Sequence, residues 1–146
     1  SEVIIRSRSA IFDKKMRPAN PLNRRLTDPS IDRLMKAIEC IRTFDSDLSS
    51  REISISVLST LLYVGSRNGC HKQALEEDLE MTRASTSRNT DMLSKHHRLL
   101  IASGKRKPGL GLIEKEIDAT DRRRSTLTLT KKGEELFTQI NEILYG

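Results

Sequence analysis

Gly111 to Gly133 reads GLIEKEIDATDRRRSTLTLTKKG. An apolar strand start, a turn with three successive arginines, an alternating strand and a fresh helix start follow one another along it. Leu112–Asp118 and Ser125–Thr130 are the predicted strands, joined through Ala119–Arg124. Thr130 stands where a side-chain oxygen caps a following helix, and Leu136, Phe137, Ile140, Ile143 and Leu144 give that helix an apolar face. This is the order of a β-hairpin wing. Beside a helix-turn-helix, a wing holds duplex DNA by groove and backbone together.

A helix-turn-helix-like run precedes it at Leu75 to Leu93. A short helix over Lys72–Leu79 turns Ala74, Leu75 and Leu79 inward, and Glu80-Met81-Thr82 makes the turn. A second helix starts near Arg83 with Thr82 as its N-cap, and runs at least to Leu93, or to Ser103 if the next stretch stays helical. Farther upstream, Thr27-Asp28-Pro29 is a helix start, and Ile31, Leu34, Ile38 and Ile41 recur at helical spacing, predicting a helix over 29–45. Ser49 to Glu52 has capping-box spacing. The ISISVLSTLLYV that follows alternates like a strand at its start but is long enough, without Gly or Pro, to be a helix. Residues 1–27 have no clean period and contain Pro18 and Pro21, as an extended arm would, with a short ordered piece at Val3–Phe12. The expected fold class is mainly α with a small β-hairpin, a winged helix-turn-helix. Residues 1–28 form a basic arm and 29–146 a single domain.

Composition excludes several alternatives. Hydrophobic residues at 36% and charged residues at 32% describe a soluble globular chain, and no apolar run is long enough to span a bilayer, so the expected location is cytoplasmic and nucleoid-associated. The start SEVIIRSRSAIFDKK lacks the features of a signal peptide. Cys40 and Cys70 are too few for a disulfide framework or zinc site and are read as inert, with a redox-sensing thiol the sharper alternative. His96-His97 on a helix would point about 100° apart, which makes no metal face. No nucleophile–base pair, phosphate loop or acid pair stands out, so no enzyme, cofactor or metal is expected.

The net charge of +6 is unevenly spread. Residues 1–28 carry seven Lys/Arg against three acids, and 95–125 carry nine against four, whereas 29–94 have eight against ten. Basic charge thus collects in the arm and around the wing, as a phosphate footprint would, or as an ordinary solvated surface.

ALEEDLEMTRASTSRNTDML resembles the helix-turn-helix of MarR-type winged-helix regulators, and GLIEKEIDATDRRRSTLTLTKKGEEL resembles their wing, with the pattern GLI, D-x-R-R and LT-x-x-G. The likeness covers about residues 53–144 and is tightest at 111–136. It implies a homodimer with a winged helix-turn-helix in each subunit, flanking dimerisation helices, and a pseudo-palindromic duplex site read as a transcriptional regulator. It also implies an Asp–Arg pair that shapes the wing, with Asp121 or Asp118 as the acid. Many members bind a small aromatic ligand between the DNA-binding and dimerisation parts; no signature for such a pocket is visible, and no effector is assigned. Three departures stand out. Glu80 takes a turn position usually held by Gly, and Thr86 and Thr90 take positions usually filled by aliphatics that pack the recognition helix down. HRLLIASGKRKPGL, 97–110, is extra; it lengthens the helix, adds a strand or supplies another DNA-touching loop. The short C-terminal helix shifts dimerisation toward the arm and the 29–45 helix.

In such a fold the first half of the second helix faces bases. The candidates there are Thr82, Arg83, Ser85, Thr86, Ser87, Arg88 and Asn89. Arg pairs with guanine O6 and N7, Asn with adenine, and hydroxyls and helix-start amides suit phosphate. Arg83, Ser87 and Arg88 are the preferred contacts, Arg88 reading either a base or a phosphate. Ser85 and Thr86 equally suit starting and packing a helix. Arg122, Arg123 and Arg124 are the wing candidates for minor groove and phosphate, and alternation keeps all three from sharing one side. Lys105, Arg106 and Lys107 touch the DNA backbone if their loop lies alongside the wing, and are otherwise a solvated run. The leading reading is a dimeric, sequence-specific regulator on double-stranded DNA. The alternatives are a winged-helix DNA-binding protein of a mobile element, in replication, partition or packaging, and a winged-helix protein-interaction module.

Overall fold

In the computed structural model, residues 29–100, 106–121 and 124–146 are described, without side chains at 96–100, 106 and 107. The arm, Lys105, Arg122 and Arg123 therefore lie outside the described residues.

Helix α1, Pro29–Arg42, buries Ala37 and Ile41; of the stripe read from the sequence only Ile41 is buried, while Ile31, Leu34 and Ile38 stay exposed. It stops short of Asp45 because that residue starts another helix, the four-residue α2 at Ser46–Ser49, by accepting the Leu48 N–H at 2.8 Å. The capping box expected at Ser49 to Glu52 does not form; Ser49 ends α2. The cap for α3, Ile55–Ser66, is Ser54, whose side chain accepts from the Val57 N–H at 3.1 Å. The helical reading of ISISVLSTLLYV holds. Buried Val57, Leu61 and Val64 place α3 at the centre of the core.

Strand β1, Cys70–His71, leads into α4, Lys72–Asp78. Glu80 makes the next turn at φ +52°, the left-handed region where a Cβ costs about 1–2 kcal/mol. The turn closes regardless, with the Met81 N–H reaching the Glu76 carbonyl at 3.2 Å. Thr82 then caps α5, Arg83–Leu93, by accepting the Ser85 N–H at 3.1 Å.

Helix α5 ends at Leu93, and the extra stretch forms a ribbon of its own. Strands β2, His96–Leu100, and β3, Arg106–Pro108, pair antiparallel. Of the three readings of 97–110, the added strand is correct, and His96 and His97 fall on a strand, not a helix.

The wing strands are β4, Ile113–Ile117, and β5, Ser125–Leu129, in register from Ile113 opposite Leu129 to Ile117 opposite Ser125. Strand β1 adds to the outer edge of β5, with Cys70 opposite Leu127, giving a three-stranded antiparallel sheet. Buried Leu112, Ile113 and Leu127 fasten the sheet to the helical core. Thr130 caps α6, Lys131–Tyr145, by accepting from the Gly133 N–H at 3.1 Å while its own hydroxyl donates to the Gly111 carbonyl at 2.7 Å. A Cβ on Gly133 would run into the Leu112 carbonyl oxygen, which explains glycine in the LT-x-x-G pattern. Helix α6 packs back on α1, so the first and last described helices lie together beside the winged-helix body.

Candidate nucleic-acid interface

The faces of α5 decide which sequence candidates reach solvent. One turn apart on its inner side, Thr86, Asn89, Thr90 and Leu93 are buried against the body of the domain. Thr86 and Asn89 therefore drop out as DNA contacts. Thr86 is sealed at 0% exposure, and Asn89 turns its amide inward onto α3. The other candidates remain outside. Arg83 is almost fully exposed, with its Nε 3.9 Å from the Glu76 carboxylate. Arg88 is exposed and rests its Nη2 3.4 Å from the Ser85 hydroxyl.

The start of α5 and the wing enclose an open cleft of about 620 Å³. Lys72 and Gln73 line it from α4, Arg83 and Ser87 from α5, and Arg124 and Ser125 from the wing. Lys72 donates from Nζ to the Ser87 hydroxyl at 2.7 Å, tying α4 to α5 at the floor. Sequence reasoning did not single out Lys72 or Gln73. No periodicity marks them; the pairing of β1 with β5 brings the start of α4 to the wing.

The wing turn is held by local bonds. The Arg124 N–H donates to the Asp121 carbonyl at 3.0 Å, and its guanidinium lies 3.9 Å from the Asp121 carboxylate. The acid beside the arginine is thus Asp121. Asp118 instead accepts the Thr120 hydroxyl at 2.7 Å and the Thr120 N–H at 2.9 Å, and these bonds hold its carboxyl below the usual value.

The ribbon starts from the other end of α5. Its foot is tied by the Gly109 N–H to the Lys95 carbonyl at 2.9 Å and by Arg51 Nη2 to the Pro108 carbonyl at 2.8 Å. Arg83 stands at the opposite end of this eleven-residue helix, roughly 15 Å away. The foot itself adjoins the root of the wing, where Ser94 bridges to Ile113 and Lys95 shares a pocket with Glu114, Lys115 and Glu116.

Burial pushes Cys40 and Cys70 above the ordinary thiol value. A second cavity, about 470 Å³, lies where α1 meets the segment leading into α3, lined by Ile38, Ile41, Arg51, Ile53 and Leu58 among others. Among the described residues no His/Cys/Asp/Glu group suits a metal, and no helix is long and apolar enough to cross a membrane.

No family model matches the chain. A curated relative, the HTH-type transcriptional regulator BilQ of Clostridium symbiosum, is 25% identical over 100 residues, covering 68% of this chain and 60% of that protein. The match thus spans less than two thirds of the relative's length. Among solved structures, the MepR–DNA complex of S. aureus superposes with a TM-score of 0.55 at 22% identity, over 78% of this chain and 77% of that one. A MarR-like transcriptional regulator from Thermotoga maritima gives 0.50 at 23% identity, over 77% and 67%. The chain has the MarR-type winged-helix fold. Within that fold α4 and α5 are the helix-turn-helix and β4–β5 the wing.

Proposed function

We propose that this protein is a transcriptional regulator that binds double-stranded DNA sequence-specifically as a homodimer. The observation that carries the reading is the cleft around the start of α5, the recognition helix of this reading, where Lys72, Arg83 and Arg124 converge from three elements and outnumber the lining acids Glu76 and Asp121. A surface of this shape and sign suits a phosphate backbone beside a major groove. Arg88, on the outward face of α5, reads a base edge or the neighbouring phosphate. Arg122 and Arg123, which follow Asp121 in the sequence, enter the minor groove or its flanking phosphates. The regulator name of the curated relative and the DNA in the MepR complex support the same reading.

Homodimerisation is supported by α1. Ile31, Leu34, Met35 and Ile38 recur at helical spacing, bordering the buried Ala37 and Ile41, and are 59%, 52%, 48% and 41% exposed. A continuous apolar stripe of this kind on a surface helix suits a matching stripe in a second copy. It lies on the helix that packs with α6, clear of the cleft.

Selection of bound duplexes from a random library tests the proposal. Recovery of one motif repeated with two-fold symmetry is the expected result. Sites without symmetry would remove the homodimer, and no enrichment at low salt would remove DNA recognition altogether.

A further inference from the structure

The recognition helix is seated on α3 through polar groups. Asn89 donates from Nδ2 to the Ser56 hydroxyl at 2.8 Å and to the Thr60 hydroxyl at 3.2 Å. Thr60 passes its own proton to the Ser56 carbonyl at 2.9 Å and is itself fully buried. Thr86 and Thr90 flank Asn89 on the same face, both at 0% exposure. An aliphatic seam would attract without preferring a direction, because hydrophobic burial scales with area. A forked amide bond has preferred distances and angles. It fixes the roll of α5 about its own axis as well as its distance from α3.

Roll matters on the other side of the helix. Arg88 precedes Asn89 by one residue and so lies about 100° around the axis. At a radius of roughly 5–6 Å, a 10° roll sweeps the outer surface by about 1 Å. Binding groups need to be placed within about 0.5 Å and 10–20°. The seat of Asn89 therefore controls whether Arg88 and its neighbours meet base edges.

We propose that Asn89 is a positioning residue for site discrimination: through Ser56 and Thr60 it sets the angular register of the recognition helix, without touching DNA. This rests on the DNA-binding reading above. Phosphate contacts from the cleft tolerate small rolls better than paired bonds to bases, so discrimination should fall before general affinity does.

The test compares affinity for the selected duplex with affinity for an unrelated duplex of equal length, using the full chain. Asn89→Leu should lower that ratio by about tenfold, with little change in affinity for the unrelated duplex or in its salt dependence. Ser56→Ala removes one acceptor at the exposed end of the pair and should lower the ratio by about threefold, and Ser56→Thr, which restores the hydroxyl, should recover it. If Asn89→Leu does not fold by circular dichroism, the two Ser56 variants decide the matter. An unchanged ratio in a folded variant overturns the proposal. So does an equal loss of affinity for both duplexes, the sign of a merely structural role. Absence of discrimination in the unmodified chain would count against the DNA-binding reading itself and leaves a separate signature.

Discussion

Lys115, midway along the first wing strand, forms an ion pair with Asp91 on the recognition helix, both side chains largely enclosed. Deeper in the molecule, Leu112 and Ile113 already anchor the root of the same strand. The ion pair adds a fixed point nearer the tip. It makes the wing and α5 one body, which the cleft between them requires.

Losing one member leaves a largely enclosed charge without its partner, at a cost of about 1–2 kcal/mol once the remaining solvent access is allowed for. Lys115→Met should therefore lower the urea midpoint and weaken DNA binding together. The exchange Lys115→Asp with Asp91→Lys should restore most of both. A pair of singles whose effects simply add in the double variant would show that the two residues do not act through each other.

A second prediction concerns the buried seam of α5. The Thr86 hydroxyl is enclosed and has no hydrogen-bond partner among the described residues. Thr86→Val keeps the branched shape and removes the stranded oxygen, so it should stabilise the chain by about 1 kcal/mol. Thermal unfolding should rise by a few degrees. A fall would mean that the hydroxyl has a partner in solution.

That seam also explains what could be read from the sequence. Thr82, Thr130 and the wing strands were legible because caps and alternation are local signals, carried by a few adjacent residues. The inward face of α5 was not, because Thr86, Asn89 and Thr90 give no hydrophobic periodicity to say which side is in. Asn89 looked like a base reader because its chemistry fits adenine as well as it fits Ser56. Strand β1, two residues long, is too short to show a period and exists only by pairing with β5. The ribbon of β2 and β3 likewise depends on pairing across a connection, whereas its first half reads equally well as more helix.

Cleft cations should register in the salt dependence. Each phosphate neutralised contributes about 0.9 to the slope of log affinity against log salt. Lys72→Gln and Arg124→Gln should each flatten that slope by about 1 and weaken all duplexes alike. Arg88→Ala should instead cost about 1–3 kcal/mol at one position of the site if it reads a base. Titrations at several salt concentrations separate the two classes. A uniform loss on Arg88→Ala would assign that side chain to phosphate.

Acid should loosen the junction between α1 and α6 through Asp45. Burial works against its charged form, but hydrogen bonds from Lys132 and from the Leu48 N–H outweigh this and hold its carboxyl below the usual value. The folded state therefore binds this proton less readily than the unfolded chain. The stabilisation is complete above the unfolded carboxylate value, near 4, and is lost as pH falls through the lower folded one. Asp45→Ala should cost about 1–2 kcal/mol at neutral pH, as a lost cap does. Urea unfolding from pH 7 to 3 should show a shallower acid decline in the variant than in the unmodified chain. Parallel declines would remove Asp45 from the acid limb.

The outer stripe of α1 offers a test of assembly that leaves the core untouched. Leu34 and Ile38 border the buried Ala37 and Ile41, Leu34 only about 20° around the axis from Ile41, but both are half exposed, so a charge there can still reach solvent. In a symmetric contact the same residue faces its own copy or a near neighbour, and each substitution counts twice. Leu34→Glu with Ile38→Glu should shift the sedimenting species from dimer to monomer at micromolar concentration, while circular dichroism stays that of a folded chain. Affinity for a full two-fold site should then fall toward that for a half-site, and binding to a half-site duplex should hardly change. A variant that sediments like the unmodified chain and still closes on both half-sites would mean that the two copies meet elsewhere.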